Sequence, residues 1–149
     1  MERAIGKKEY RKVVTVLLAI VTLLSGGMVY LLFRPDYLLM FDWLRFIHLM
    51  GFLECIRSTS HWLPEWIEYA LPDGLWIFSY TLIIGCIWNF DIKKAWIAIL
   101  VLPLIAIIDE SLQYFQLVAG TFDVLDIIAY ASASLLGCAY LRFVKTVTI

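Results

Sequence analysis

The chain has 149 residues, of which 62% are hydrophobic and 17% are charged, and its mean hydropathy is +0.84. Because average proteins carry about 25% charged residues, this composition excludes an ordinary soluble domain and indicates an integral membrane protein. The net charge of -1 gives no indication of a nucleic-acid partner. The length predicts one membrane domain over residues 1–149.

An apolar run over residues 13–33 follows a basic N-terminal segment and predicts the first transmembrane helix. At 1.5 Å per residue, a run of that length crosses a hydrocarbon core of about 30 Å. The basic segment resembles the start of a signal peptide, but the run is longer than a typical signal core and Arg34-Pro35 follows it instead of a cleavage site. We therefore predict a retained span, in which Gly26-Gly27 permits a bend or close helix packing.

The next apolar segment, residues 37–53, carries Asp42, Arg45 and His48 at successive i, i+3 steps. A central Asp or Arg adds roughly 2.5–3.5 kcal/mol to the insertion free energy of a helix, whereas an apolar residue returns only about 0.3–0.6 kcal/mol. The segment is therefore predicted to be an amphipathic helix lying on the membrane interface, with its polar side in water.

Three further apolar stretches, residues 73–90, 95–118 and 122–143, predict three more spans. Pro72 and Asp73 indicate the start of the first of these, with Asp73 as its N-cap. Gly120-Thr121 predicts a tight connection that makes the last two helices antiparallel neighbours. The predicted fold is an all-α membrane protein, a four-transmembrane-helix bundle with an additional interfacial amphipathic helix between spans 1 and 2.

The distribution of lysine and arginine predicts the orientation, because these residues accumulate in cytoplasmic segments near the ends of spans. With the N-terminus inside, the cytoplasmic set is Arg3, Lys7, Lys8, Arg11, Lys12, Lys93, Lys94, Arg142 and Lys145. Arg34, Arg45 and Arg57 fall on the outer side. Both termini are therefore expected in the cytosol.

Four acidic residues lie near the outer ends of the last two spans: Asp109, Glu110, Asp123 and Asp126. Ionisable groups are costly in a bilayer, so they usually face the bundle interior or water and mark a functional site. We predict that they line a pocket open to the outer side. Asp123 is expected to cap the helix of the fourth span. The alternative for the whole cluster is a structural polar network that fixes helix register.

Neighbouring side chains extend this predicted pocket. Asp109, Gln113 and Gln116 share one helix face at i, i+4, i+7 spacing. Asp126 and Tyr130 border a stripe of small residues, through which helix backbones can approach closely in membranes. That stripe consists of Ala129, Ala133 and Gly137. Arg34, Arg45 or Arg57 is expected to fold over and pair with the acids.

The pattern Glu110-x-x-Gln113, then Asp126 after the turn, then Gly137 in a small-residue helix, resembles the VanZ-like family of small bacterial membrane proteins. Some members are linked to resistance to glycopeptides such as teicoplanin. The similarity covers residues 72–141 and carries over Glu110, Gln113 and Asp126, with Asp73 as a weaker match. It implies a bacterial cytoplasmic membrane and a role in the cell envelope.

This chain departs from the family pattern at three places. The pattern has an arginine where Thr121 stands, an asparagine where Tyr130 stands and a histidine near Ile77. If those residues carry a family activity, this chain has lost or replaced it.

Several functions stay open at this point. The first is recognition of a membrane lipid or lipid-linked envelope precursor by the predicted pocket; the second is an enzyme with Glu110 as acid/base and Asp126 orienting it. The third is a small subunit of a larger membrane complex. A proton or cation pathway is less favoured, because the intramembrane acids all lie in the outer part. His48 and His61 match no metal-ligand spacing, so no metal or cofactor is predicted.

Overall fold

The computed structural model describes residues 2–34, 36, 39–57 and 63–146, and it describes side chains within these ranges except at residues 2–5, 39 and 40. His61 and the start of the predicted interfacial segment lie outside the described residues. The helices are α1 (Glu2–Phe33), α2 (Leu39–Phe46), α3 (Met50–Arg57), α4 (Glu65–Glu68), α5 (Ala70–Ile87), α6 (Ile92–Tyr114) and α7 (Val124–Thr146). These ranges contain no strand, and the all-α prediction is confirmed.

Four stretches are long and apolar enough to cross a membrane: Gly6–Phe33, Glu65–Ile87, Ile92–Tyr114 and Val124–Thr146. Their outward surfaces are apolar, with Leu24, Ile97 and Leu135 each more than half exposed. Hydrocarbon solvates such side chains and leaves the backbone to satisfy its hydrogen bonds within helices. The prediction of four apolar helices is therefore confirmed, and these helices indicate a multi-pass membrane protein.

Helix α5 lies at the centre and packs against α1, α6 and α7. Small residues permit the α5–α7 contact, since an added Cβ at Gly137 would lie 2.7 Å from Thr81 Cγ2. An added Cβ at Gly74 would lie 3.4 Å from Ala129 Cβ, and Ala133 is buried in the same seam. The backbones of α5 and α7 thus run close together, as small residues permit in membranes.

The start of α5 differs from the prediction. The helix begins at Ala70, with Tyr69 in the capping position, so the prediction that Asp73 is the N-cap is wrong. Pro72 lies within the first turn, where a residue without an N–H group loses no helical hydrogen bond. The helix also ends at Ile87 instead of continuing to residue 90, because Asn89 and Phe90 adopt positive φ angles of 51° and 63°.

The connection between α6 and α7 is longer than predicted. Helix α6 ends at Tyr114, and Gln116 has a φ of 57°, so the prediction that Gln116 continues the face of Gln113 is wrong. Helix α7 begins at Val124, directly after Asp123, whose Oδ1 accepts a hydrogen bond of 2.8 Å from the backbone N–H of Leu125. This is the capping role that the sequence predicted for Asp123.

Two short helices, α2 and α3, occupy the segment for which the sequence predicted one amphipathic helix. The helical backbone is interrupted between them at His48, whose φ is 59°. Arg57, at the end of α3, donates a hydrogen bond of 2.8 Å to the carbonyl oxygen of Arg34. The segment is thereby attached to the C-terminal end of α1, and its position on a membrane interface stays a prediction.

The end of the helices that lies away from α2 and α3 is here called the basic end. It comprises the start of α1, the α5–α6 connection and the end of α7. Arg11 donates a hydrogen bond of 3.1 Å to the carbonyl oxygen of Val144. Lys145 Nζ lies 3.2 Å from Asp91 Oδ1. These contacts bring three separate parts of the chain together at one end of the molecule.

The Lys145–Asp91 pair predicts an acid-dependent stability difference. The hydrogen bond from Lys145 lowers the pKa of Asp91 below its usual value. Asp91 therefore stabilises the fold above its unfolded pKa of about 3.9, and this contribution is lost as the pH falls through the lowered folded pKa. Lys145→Met should reduce the melting temperature in detergent at about pH 7, and the difference from the unsubstituted protein should shrink below about pH 4. Lys7→Met is the control, and a pH-independent difference for Lys145→Met would contradict the assignment.

Candidate functional site

A cavity of about 780 Å³ lies at the end of the helices that carries the α6–α7 connection, opposite the basic end. We call it the acidic cavity. It is lined by Tyr30, Arg34, Tyr69, Asp73, Trp76, Asp109, Glu110, Gln113, Gly120, Thr121, Phe122, Asp123, Asp126 and Tyr130. The candidate binding residues from the sequence thus line one space, whereas Gln116 is not among the lining residues.

Glu110 and Asp126 are the buried acids of this cavity, with exposed fractions of 5% and 8%. Glu110 lies near the end of α6, and Asp126 lies in the first turn of α7. Burying a charged group is unfavourable unless hydrogen bonds or opposite charges compensate it. The partners of these two carboxyl groups therefore decide what the cavity can bind.

Glu110 has protein partners for both carboxylate oxygens. Its Oε2 accepts a hydrogen bond of 3.2 Å from the backbone N–H of Asp123, and its Oε1 lies 3.5 Å from Gln113 Nε2. Gln113 Nε2 also donates to Asp109 Oδ2 at 3.0 Å. Glu110 consequently connects the end of α6 to the start of α7, and it positions the α6–α7 connection around the cavity.

Gly120 makes room for Gln113 in this network. An added Cβ at Gly120 would overlap Gln113 Oε1, and the φ of Gly120 is 142°, a backbone conformation that other residues rarely adopt. The glycine that the sequence placed in a tight turn therefore has a second role. It allows the connecting segment to close over the Gln113 amide.

Arg34 supplies the positive charge of the cavity. Its Nη2 lies 3.9 Å from Asp73 Oδ2 and donates to the carbonyl oxygen of Tyr69 at 3.3 Å. Its guanidinium also lies over the rings of Tyr69 and Tyr30, at 4.6 and 5.5 Å from the ring centroids. Tyr130 of α7 lines the same cavity. Asp73 is therefore the acid that pairs with the arginine of α1.

Of the three arginines predicted to pair with the cluster, Arg34 is the one that lines the cavity. Arg45 instead pairs with Asp42 at 2.6 Å and Asp36 at 3.8 Å, on an exposed surface. Arg57 lies over the Phe41 ring at 5.0 Å.

Asp126 differs from the other acids. Its Oδ1 is buried and has no hydrogen-bond partner among the described residues. A buried acceptor without a donor costs about 1–3 kcal/mol, and more when it is charged. The cavity thus contains one carboxylate oxygen whose hydrogen bond the described part of the protein does not supply.

Sequence reasoning missed the aromatic wall of the cavity. Tyr30 stacks at a tilt against Trp76, with ring centroids 5.4 Å apart, and Trp76 Nε1 donates to the carbonyl oxygen of Leu23 at 3.2 Å. The available signal was the i, i+4 spacing of Tyr30 and Arg34, which puts both on the same face of α1.

The side chains that line the cavity determine the chemistry that it can perform. Carboxylates and one guanidinium suit polar recognition, and Glu110 and Asp126 remain the candidates for acid/base work. Within the described ranges, no group of three or more His, Cys, Asp or Glu side chains is arranged to hold a metal ion. His48 lies in the exposed break between α2 and α3.

Comparison of the chain with protein-family models, curated proteins and solved structures finds no match. The assignment of a function therefore rests on the acidic cavity itself.

Proposed function

We propose that this chain is a VanZ-like polytopic protein of the bacterial cytoplasmic membrane, whose acidic cavity recognises a lipid or a lipid-linked envelope precursor. The observation that carries the proposal is the burial of Glu110 and Asp126 together in a cavity of about 780 Å³ at one end of four apolar helices. Ionisable groups held at membrane depth are functional by default. Ligand cavities typically have volumes of about 300–1,000 Å³.

The proposed orientation puts the acidic cavity on the outer side and both termini in the cytosol. Its support is the clustering of basic residues at the other end, where Arg11 contacts Val144 and Lys145 contacts Asp91. Lysine and arginine near the ends of spans favour the cytoplasmic side. The cavity then lies near the headgroups of the outer leaflet, where envelope precursors are displayed.

Helices α2 and α3 complete the proposed fold as an interfacial element beside the cavity. The bond from Arg57 to the Arg34 carbonyl attaches them to the residue that pairs with Asp73. Trp43, Phe46 and Phe52 are largely exposed, at 64%, 84% and 72%. Such side chains suit the headgroup region, where an amphipathic segment buries its apolar groups in lipid.

The resemblance to the VanZ-like family supports the same proposal through Glu110, Gln113 and Asp126, all of which line the cavity. Thr121 and Tyr130, where the family pattern has arginine and asparagine, line it as well. Arg34 brings a guanidinium into the cavity from α1, so it is a candidate to replace the arginine missing at position 121.

Identification of the lipids that copurify with the protein tests this function. Mass spectrometry of the purified chain should find a lipid that is depleted about tenfold or more by Glu110→Gln, because the Glu110 carboxylate holds the α6–α7 connection around the cavity and a hydrogen bond to a charged group contributes about 1.5–3 kcal/mol. Glu9→Gln, on the exposed start of α1, is the matched control and should leave that lipid in place.

The same preparation separates recognition from the alternatives. An identical lipid content in the unsubstituted protein, Glu110→Gln and Glu9→Gln, at equal thermal stability, would contradict the proposal. Conversion of the bound lipid to a product would identify an enzyme instead. A stoichiometric protein partner would identify a subunit of a larger complex.

A further inference from the structure

We propose that the ligand of the acidic cavity carries a primary ammonium group, which donates a hydrogen bond to Asp126. This inference rests on the proposed function and names the chemical class that the cavity recognises. Its starting point is the charge of the lining. Among the described residues, the acids that line the cavity are Asp73, Asp109, Glu110, Asp123 and Asp126, and Arg34 is the lining cation.

Arg34 does not offset this excess of acids. Its Nη2 faces Asp73 and the Tyr69 carbonyl, its guanidinium lies over two tyrosine rings, and its Nε is buried without a partner among the described residues. One arginine can neutralise one carboxylate, so the remaining acids give the cavity a negative potential when ionised. Such a potential repels a ligand whose polar group is purely anionic and attracts a cation.

Three of the four remaining acids have a donor within the protein. Asp123 accepts from Leu125, Glu110 accepts from Asp123 and Gln113, and Asp109 accepts from Gln113. Asp126 is the exception, because its Oδ1 has no partner although the residue is only 8% exposed. An incoming donor would therefore satisfy a buried acceptor that now has none, and it would do so at Asp126.

The required donor distinguishes between cationic groups. A primary ammonium has three N–H donors, and a charge-assisted N–H···O bond is about twice as strong as a neutral one. A quaternary ammonium has the same charge but no N–H group, and a glycerol headgroup on a phosphate has no positive charge. Ethanolamine, choline and glycerol phospholipids with identical acyl chains therefore form a matched series of probes.

Native mass spectrometry of the full chain in detergent tests the inference with these three phospholipids. We expect the ethanolamine lipid to bind about tenfold more tightly than the choline lipid, and the glycerol lipid to bind most weakly. Asp126→Asn should remove the preference for ethanolamine over choline, whereas Asp91→Asn, at the basic end, should retain it. The comparison of the three lipids on the unsubstituted protein needs no variant. It therefore tests the preference for ethanolamine even if Asp126→Asn does not fold.

Equal binding of the ethanolamine and choline lipids, or a preference that survives Asp126→Asn, would overturn the inference. If binding depends on Glu110 but shows no preference for ethanolamine, the proposed function stands and the ammonium assignment fails. If no lipid binds and none copurifies, both fail. Competition with soluble glycerophosphoethanolamine identifies the source of the ligand. If it displaces the ethanolamine lipid, a soluble amine is sufficient for binding; if it does not, the membrane-anchored form is required. Both results agree with recognition of an ammonium group.

Discussion

Replacing Arg34 with methionine is expected to lower the free energy of unfolding by about 3 kcal/mol, at the lower end of the range for breaking a buried ion pair. The substitution leaves the Asp73 carboxylate in the acidic cavity without its positive partner. Both side chains are about one-fifth exposed, at 22% and 21%, so solvent screens the pair partially. The measurement is unfolding of the purified protein in mixed detergent micelles.

Arg45→Met is the matched control, because it separates the effect of side-chain burial from the effect of the distance between the charged atoms. Arg45 lies closer to its partner, at 2.6 Å from Asp42, but the two side chains are 46% and 60% exposed. Exposed pairs of this kind contribute about 0–1 kcal/mol. Arg34→Met should therefore be the more destabilising change, although its ion pair is the longer one.

The double variant Arg34→Met/Asp73→Asn tests whether the unpaired Asp73 carboxylate causes the loss of stability. Removing the carboxylate together with the arginine should recover most of the lost stability, because no uncompensated charge remains in the cavity. If Arg34→Met is no more destabilising than Arg45→Met, or if the second substitution recovers nothing, the pair does not stabilise the fold in the way that we describe.

Hydropathy was sufficient to predict four apolar helices, because a span needs a long run of apolar residues whatever its neighbours are. Helix ends were less predictable. Pro72 and Asp73 together indicate an N-terminus, but proline is tolerated throughout the first turn, so the signal does not fix which residue comes first. The end of α6 had no such signal, and it depends on the positive φ that Gln116 adopts.

The acids of the site were predictable as a group because charged residues are rare in apolar sequence. Their partners were not, since Arg34, Arg45 and Arg57 carry the same charge and all precede the second span. Arg34 is selected by the tertiary contacts of α1 with the start of α5, where Tyr69 and Asp73 lie. The unpartnered oxygen of Asp126 follows from atomic geometry, which no sequence pattern contains.

Replacing Gly26 with alanine is expected to cost about 1–3 kcal/mol of unfolding free energy, the usual range for adding atoms to a packed interface. An added Cβ would lie 2.9 Å from the backbone oxygen of Pro72 and 2.8 Å from Trp76 Nε1. The Pro72 oxygen belongs to the α5 backbone, so α1 must move away from α5 to accept the methyl group.

Gly27 provides a control one residue away. Among the described residues, no atom outside the adjoining backbone of α1 lies within 4 Å of a Cβ added there, and alanine is favoured over glycine in a helix by about 1 kcal/mol. Gly27→Ala should therefore leave the stability unchanged or raise it slightly. Equal effects of the two substitutions would show that the glycines act through helix propensity and not through close packing of α1 on α5.

The Gly26→Ala substitution should also change the shape of the acidic cavity. Trp76 contacts the Gly26 position, lines the cavity and stacks against Tyr30, whose ring lies beside the Arg34 guanidinium. Moving α1 from α5 displaces this wall together with the arginine that pairs with Asp73. Gly26→Ala should consequently weaken retention of the copurified lipid as well as stability, whereas Gly27→Ala should retain both. Loss of stability with full lipid retention would mean that the cavity is held by α5, α6 and α7 without α1.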